Sequence, residues 1–212
     1  MIRIFAGYDR REEVGFHVFV ASLIATAKKE FSITPLVFHK DEGTNAFTYS
    51  RFEVAKLCDY KGKAIFVDGS DMIMAGDISE LWDLFDDQYA VQVVKHNYKT
   101  SSKTKYINTD MESPNTNYER KQWASVMLIN CEHPDWKKVD DFTNFEKLQF
   151  KFTESIGELP IKWNWLVDEF GEDSRAKILH WTLGVPAFKH YRNAPMNDDW
   201  FYYNRRMNYK AE

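Results

Sequence analysis

Asp68 and Asp71 stand on either side of Gly69-Ser70, with the apolar run Ala64-Ile65-Phe66-Val67 before them and Met72-Ile73-Met74 after. Carboxylates on a tight turn at the end of an apolar strand are suited to a divalent cation. Hard cations take oxygen ligands and often use only one or two protein carboxylates beside substrate phosphates. In open α/β sheets, ligands also bind where strands end. The chemistry this spacing points to is metal-assisted handling of a diphosphate. The competing reading is plain turn chemistry, because Asp and Gly dominate turns for steric reasons alone.

Such a turn needs a layered scaffold, and the flanking sequence supplies one. Ile2 to Ala6 reads as a strand ended by Gly7, and Val14 to Lys28 carries Phe16, Val20, Leu23 and Ala27 at helical spacing. Thr34 to Phe38 reads as a second strand, Tyr49 to Leu57 as a helix and Ala64 to Val67 as a third strand. Asp77 is the expected N-cap of a helix over Ile78 to Leu84. Tyr89 to Val94, Ser125 to Ile129 and Ala176 to His180 read as further strands, and Pro134 to Phe152 as helical. Between Lys95 and Arg120 the composition shifts to Asn, Ser, Thr, Lys and Tyr without apolar periodicity, which predicts a mobile loop of the kind that serves as a lid or binding loop. Strands alternating with helices imply an α/β layered domain with a mainly parallel sheet.

Bulk properties exclude several classes. A length of 212 residues with 44% hydrophobic content fits one globular core, and a net charge of −4 offers no basic face for nucleic acid. The two cysteines, Cys58 and Cys131, lack the C-x-x-C spacing of a zinc site or a disulfide framework. The longest apolar stretch, Phe16 to Ala27, is shorter than the ~20 residues a spanning helix needs, and the opening is strand-like rather than a basic leader. These features predict a soluble, cytoplasmic protein with no transmembrane segment. The tail Trp200-Phe201-Tyr202-Tyr203 with Arg205, Arg206 and Lys210 is the candidate for a peripheral membrane, partner or acceptor contact.

Several islands resemble one family in order along the chain. Asp68-Gly69-Ser70-Asp71 followed by Gly76-Asp77-Ile78-Ser79-Glu80-Leu81-Trp82-Asp83-Leu84 is similar to the acid motif and following helix of family 8, glycogenin-like glycosyltransferases. Thr48-Tyr49-Ser50-Arg51-Phe52 resembles that family's Tyr-x-Arg helix, and Ile4-Phe5-Ala6-Gly7-Tyr8-Asp9 its first nucleotide-binding strand and loop. Ser125 to Asn130, Leu159-Pro160-Ile161-Lys162-Trp163-Asn164 and His180-Trp181-Thr182-Leu183-Gly184-Val185-Pro186 resemble its later motifs.

The resemblance implies a GT-A fold: a Rossmann-like nucleotide-binding α/β domain over 1–190, with its mixed, mainly parallel sheet flanked by helices, and a C-terminal extension over 191–212. It implies that Asp71 and His180 ligate Mn²⁺ or Mg²⁺, that Asp68 reaches the metal or the ribose, and that Ala6, Gly7, Tyr8, Arg51 and Gly184 border the donor. An imidazole beside carboxylates suits a transition metal. The implied activity is transfer of a hexose from a nucleotide sugar, a UDP-sugar first, to a hydroxyl of a glycan, lipid or protein acceptor, with retention.

The chain also departs from the pattern. The family's acids are separated by one residue and these by two; the lysine of the C-terminal motif, which in that family contacts donor phosphate, has no equivalent in register, because Ala187 and Phe188 follow Pro186 and Lys189 is displaced; the "DQD" sugar-site element is not recognisable. Gln149 and Glu154 are the nearest candidates for that element, and Asp168 is an available carboxylate just beyond Trp163-Asn164-Trp165. The departures motivate an alternative, a degenerate domain that binds sugar nucleotide or carbohydrate without turnover. A two-ion phosphoesterase would require a second Asp/His cluster, and the spacing supplies none.

Overall fold

Ile2, Ile4 and Ala6 bury themselves on one face of the first strand and Phe5 on the other, the period-2 alternation of a strand covered on both sides. The computed structural model describes residues 1–37 and 45–207. Its strands are β1 (Ile2–Tyr8), β2 (Phe31–Val37), β3 (Lys63–Val67), β4 (Met72–Met74), β5 (Val91–Val93), β6 (Thr104–Lys105), β7 (Ser113–Pro114), β8 (Val126–Asn130), β9 (Ile156–Glu158), β10 (Trp165–Leu166) and β11 (Ile178–His180). Its α-helices are α1 (Glu13–Thr26), α2 (Val54–Leu57), α3 (Ile78–Trp82), α4 (Asn144–Leu148), α5 (Val167–Phe170) and α6 (Asn197–Met207).

The central sheet runs β2-β1-β3-β8-β5-β9, with β8 antiparallel to both its neighbours and the other strands sharing one direction. This is the mixed, mainly parallel α/β sheet expected from the alternation of elements. Phe16, Phe19 and Leu23 of α1 pack with Ile4, Ile65, Val67 and Leu128 on one face, while Phe5, Phe66, Val93 and Met127 meet Phe52, Phe150 and Phe152 on the other. A second sheet, β10-β11-β4, stands beside it, and the turn from Asp68 to Asp71 is where the chain leaves β3 of the large sheet for β4 of the small one.

Helix α1 lies directly on that turn. A Cβ at Gly15 would fall 1.9 Å from the Ser70 carbonyl oxygen, so only glycine lets the helix backbone come this close.

Local sequence misplaces some boundaries. The segment 49–57 opens as a 3-10 turn over Ser50–Glu53 before α2, and the segment 134–152 divides into a 3-10 run over Pro134–Asp141 and the short α4. The break is made at Thr143, whose side chain accepts from Glu146 N while Glu146 reaches back, a capping box that restarts the helix. The second strand is found over Phe31–Val37, and Phe38 lies outside the described residues, as does Lys210. The stretch 95–120 has a two-stranded ribbon of its own, β6-β7. It is tied down where Glu169 accepts from Thr100 Oγ1 at 2.6 Å and from Ser101 N at 2.9 Å. Among the described residues no helix is long and apolar enough to cross a membrane.

Candidate metal and donor site

Register brings the first pair of side chains together. β11 runs antiparallel to β4 with His180 opposite Met72, and Trp181 N donates to the Asp71 carbonyl at 2.9 Å, carrying the ladder one step into the acid turn. The imidazole and the Asp71 carboxylate therefore meet, Nε2 to Oδ2 at 3.2 Å. The turn is held by Asp68 N donating to Ser125 O (2.9 Å), Met72 N donating to Gly69 O (3.1 Å) and the Ser70 hydroxyl donating to Gly7 O (3.3 Å). Gly69 sits at φ +78, in the left-handed region open to glycine. One ligand atom each from Asp68, Asp71 and His180 lies within 4.8 Å of the others, and all three residues are buried.

The cluster is incomplete as a protein-only arrangement. Asp71 Oδ1 is buried and accepts no hydrogen bond; Asp68 Oδ1 faces Arg51 Nη1 at 2.8 Å, an ion pair too oblique to count as a hydrogen bond. Buried acceptors left without donors are costly, and a cation satisfies such oxygens directly. Two carboxylates and an imidazole, with oxygens open toward a common point, fit a divalent ion of the Mn²⁺ type.

Asn164 orients the imidazole. Its Nδ2 donates to the Gln122 carbonyl at 3.1 Å, which turns its Oδ1 toward His180 Nδ1 at 2.9 Å. Nδ1 is thereby the protonated nitrogen, and Nε2 is the one presented to the acids. Asn164→Ala is expected to weaken Mn²⁺ binding by about 10–100-fold, the usual effect of losing a group that orients a ligand. Calorimetric titration of Mn²⁺ measures this directly, and an unchanged affinity would remove Asn164 from the site.

The charges explain the titration of the group. Burial pushes the Asp68 carboxyl up to about 6, with Asp71 adding to the rise and Arg51 opposing it. For His180 burial pulls the other way, but the carboxylates of Asp71, Asp68 and Asp168 outweigh it and raise the imidazole above its ordinary value. Glu12, at the start of α1, is a further buried acid. Desolvation first, then Asp71 and Asp9, raise it well above the carboxylate range; its Oε2 accepts from Asn45 Nδ2 at 2.6 Å and its Oε1 has no partner.

A cleft opens above the acids, walled by Arg51 and Thr48 on one side and by Lys105, Tyr106 and Tyr118 from the 95–120 segment on the other. The structure brings Asp68, Asp71, His180 and Arg51 to this cleft. Arg51 donates from Nη1 to Ala124 O (2.7 Å) and from Nε to Thr48 O (2.8 Å), with its guanidinium 5.1 Å from the Phe66 ring centroid. Asp168 lies on α5 behind His180, where burial pushes it up to about 6 and its Oδ2 accepts from Leu183 N at 3.0 Å.

Other candidates stand apart from it. Ala6 is fully buried in the core, Gly7 is covered by the Phe47 ring, and Tyr8 packs edge-on against Phe16 at 5.3 Å; none of the three borders the cleft. Gly184 carries φ +154 and lies against the Tyr191 ring. Gln149 closes α4, where its carbonyl accepts from Arg120 Nη1 at 2.8 Å, and Glu154 is exposed at the approach to β9; neither side chain borders the cleft. Sequence reasoning did not single out Glu12, Asn45, Lys105 or Tyr106. The loop composition marked the segment that carries Lys105 and Tyr106, but no spacing marked the residues.

Comparison with known proteins identifies the family and the fold. Residues 16–194 match Glycosyl transferase family 8. The chain is 32% identical to Protein CDI of Arabidopsis thaliana over 234 aligned positions, 99% of this chain and 88% of that protein. Among solved structures, the apo bifunctional glycosyltransferase WbbM superposes with a TM-score of 0.70 at 16% identity, covering 96% of this chain; the chain spans about half (49%) of WbbM. The galactosyltransferase LgtC, solved in complex with donor and acceptor sugar analogs, superposes at 0.69 with 13% identity, covering 100% of this chain and 98% of LgtC. GlyE of Streptococcus pneumoniae superposes at 0.64 with 13% identity, covering 96% of this chain and 60% of GlyE. With the family matched along most of its length and the GT-A architecture of these glycosyltransferases in its sheet, this chain belongs to glycosyl transferase family 8.

Proposed function

We propose that this glycosyltransferase transfers a hexose from a nucleotide sugar, a UDP-sugar first, to a hydroxyl acceptor with retention, using Mn²⁺ or Mg²⁺ held by Asp71, His180 and Asp68. The observation that carries the reading is the buried Asp68-Asp71-His180 cluster, with carboxylate oxygens unsatisfied by the protein at the foot of a cleft. A divalent ion there supplies Lewis-acid neutralisation of the leaving diphosphate.

The chain's own residues do the rest. Arg51 holds Asp68 in place and keeps it ionised against the effect of burial. Asn164 presents His180 Nε2 to the acids. Tyr118 gives the cleft an aromatic wall suited to a sugar or base, with the buried Tyr106 ring backing the segment that carries it. Retention by a front-face route requires no enzymic base, since the departing phosphate oxygen takes the acceptor proton. Residues 1–190 act in this reading as the transferase domain and 191–212 as an extension, in the cytoplasm.

A thermal-shift panel of nucleotides and nucleotide sugars, with and without Mn²⁺, tests the donor, because a ligand that binds the native state raises its apparent stability. A metal-dependent shift with a nucleoside diphosphate supports the proposal; no shift with any diphosphate overturns it. The replacement of the motif lysine by Ala187 and Phe188 favours a second reading, a domain that binds donor without turnover. Label transfer from donor to acceptor, or slow donor hydrolysis, separates the two.

A further inference from the structure

The charge at the foot of the cleft does not match a diphosphate. Asp68, Asp71 and Arg51 together carry one negative charge, and a divalent ion brings the sum to one positive. A donor diphosphate carries two negative charges, and its leaving group three once the glycosyl bond has broken. Metal and ligands alone leave the departing phosphate undercompensated, in a site where burial magnifies unpaired charge. The C-terminal motif provides no cation: Phe188 turns its ring edge-on to Tyr106 at 6.3 Å, and Lys189 is exposed.

Lys105 stands on the opposite wall. It ends β6, its register fixed against Ser113 of β7, and the next residue anchors the ribbon through Tyr106 N donating to Leu183 O at 2.7 Å. Its ammonium lies 5.5 Å from the Tyr106 ring centroid; burial lowers its pKa below the ordinary lysine value, and the carboxylates of Asp71, then Glu12 and Asp68, oppose that fall and draw the charge toward the acids. Among the described residues it makes no hydrogen bond and no ion pair within 4 Å. Among the described residues the other cations at the cleft are committed: Arg51 to Asp68, Ala124 O and Thr48 O; Lys121 to Asn115 Oδ1 (2.5 Å) and Thr116 O (2.8 Å); Arg120 to Gln149 O. Lys105 thus presents three N–H donors without a partner among the described residues, in the same cleft as the carboxylates.

We propose that Lys105 is a catalytic residue that binds the sugar-bearing phosphate of the donor, supplying from the 95–120 segment the cation missing from the C-terminal motif. The inference rests on the donor reading above. As the bond between the anomeric carbon and the phosphate oxygen breaks, its electron pair stays on that phosphate, and Lys105 Nζ donates to a phosphate oxygen as the negative charge grows. The acceptor oxygen bonds to the anomeric carbon, and its proton passes to the departing phosphate.

The test compares Mn²⁺ alone, UMP with Mn²⁺ and UDP with Mn²⁺ by calorimetry on the full chain, as wild type, Lys105→Met and Lys105→Arg. Methionine keeps an apolar stem over Tyr106, and thermal unfolding checks that each variant is folded. Mn²⁺ affinity is expected not to fall, since a positive charge near the acids is removed, and UMP affinity to move less than about threefold. UDP affinity is expected to fall about 10–100-fold in Lys105→Met, the effect of removing a hydrogen bond between charged groups, and to recover largely in Lys105→Arg. UDP affinity and turnover unchanged in Lys105→Met would overturn the inference and leave the donor reading standing, as would UMP weakened as much as UDP. A wild type that binds Mn²⁺ but no diphosphate overturns the donor reading, and this inference with it.

Discussion

Asp71→Asn and His180→Ala are each expected, on the proposed function, to eliminate the Mn²⁺-dependent part of nucleotide diphosphate binding and to lower sugar transfer by at least about 10²–10³-fold, the scale of losing one preorganised electrostatic contact to a leaving group. Asp71→Asn is the cleaner variant. It removes a buried negative charge beside Asp68 and Glu12, so the metal-free protein is expected to melt no lower than wild type while the rise in Tm on adding Mn²⁺ disappears. A fold kept and a metal response lost identifies a ligand; a metal response retained in both variants sinks the assignment. The wild-type response has a pH signature of known sign. Metal requires Asp68 ionised and His180 Nε2 unprotonated. Asp68 titrates at about 6 and His180 above its ordinary value, so a bound ion must displace protons below these values. Mn²⁺ affinity is expected to fall as pH drops from about 8 to about 5, by up to about tenfold per pH unit for each proton displaced.

Arg51→Met destabilises the fold by about 3–5 kcal/mol, because it strands the Asp68 carboxylate in the interior without its partner. For a chain of this length that corresponds to a Tm lower by about 6–20 °C. The loss includes the donors to Thr48 O and Ala124 O and the cation–π contacts with Phe66 and Phe47. Two controls separate charge from packing. Asp68→Asn in the Arg51→Met background removes the stranded charge and is expected to recover part of the loss. The deficit of Arg51→Met relative to wild type is expected to grow above about pH 6, because below that pH Asp68 is already protonated in the folded wild type and loses little from the missing guanidinium. Thermal denaturation of the single and double variants between about pH 5 and 8 measures both. A pH-independent deficit would mean that Arg51 supports the turn through its hydrogen bonds and ring contacts rather than through the charge of Asp68, and no deficit would mean that it does not support the turn at all.

The legible parts of the molecule were those in which one short segment carries its own instruction. The strands of the central sheet alternate or run apolar for a few residues and are bounded by turn residues, so β1, β3, β5, β8 and β11 could be read within a residue or two. Asp77 marked the start of α3, and its side chain does accept from Ser79 N. The missed pieces were short ones whose partners are distant: β4, β9 and β10 have two or three residues each, too few to show a period, and exist because β11 or β5 lies alongside. The capping box at Thr143 was present in the sequence, yet the aromatic and charged residues around it read as one continuous helix.

The site divides along the same line. By itself the sequence determined the acid turn, the strand that delivers it and, through ordered motifs, the companionship of Asp71, His180 and Arg51, because residue type and order along the chain are enough to specify these. Only the tertiary structure decided which atoms face each other. The β4/β11 register puts His180 Nε2 on Asp71, and Asn164 settles which ring nitrogen is offered. Arg51 claims Asp68, Phe47 covers Gly7, and a ribbon within an apparently featureless segment carries Lys105 over the carboxylates. Those outcomes depend on contacts between residues far apart in the chain, where the geometry of packing and the sharing of buried charge are set by the whole fold and leave no local period or spacing to read.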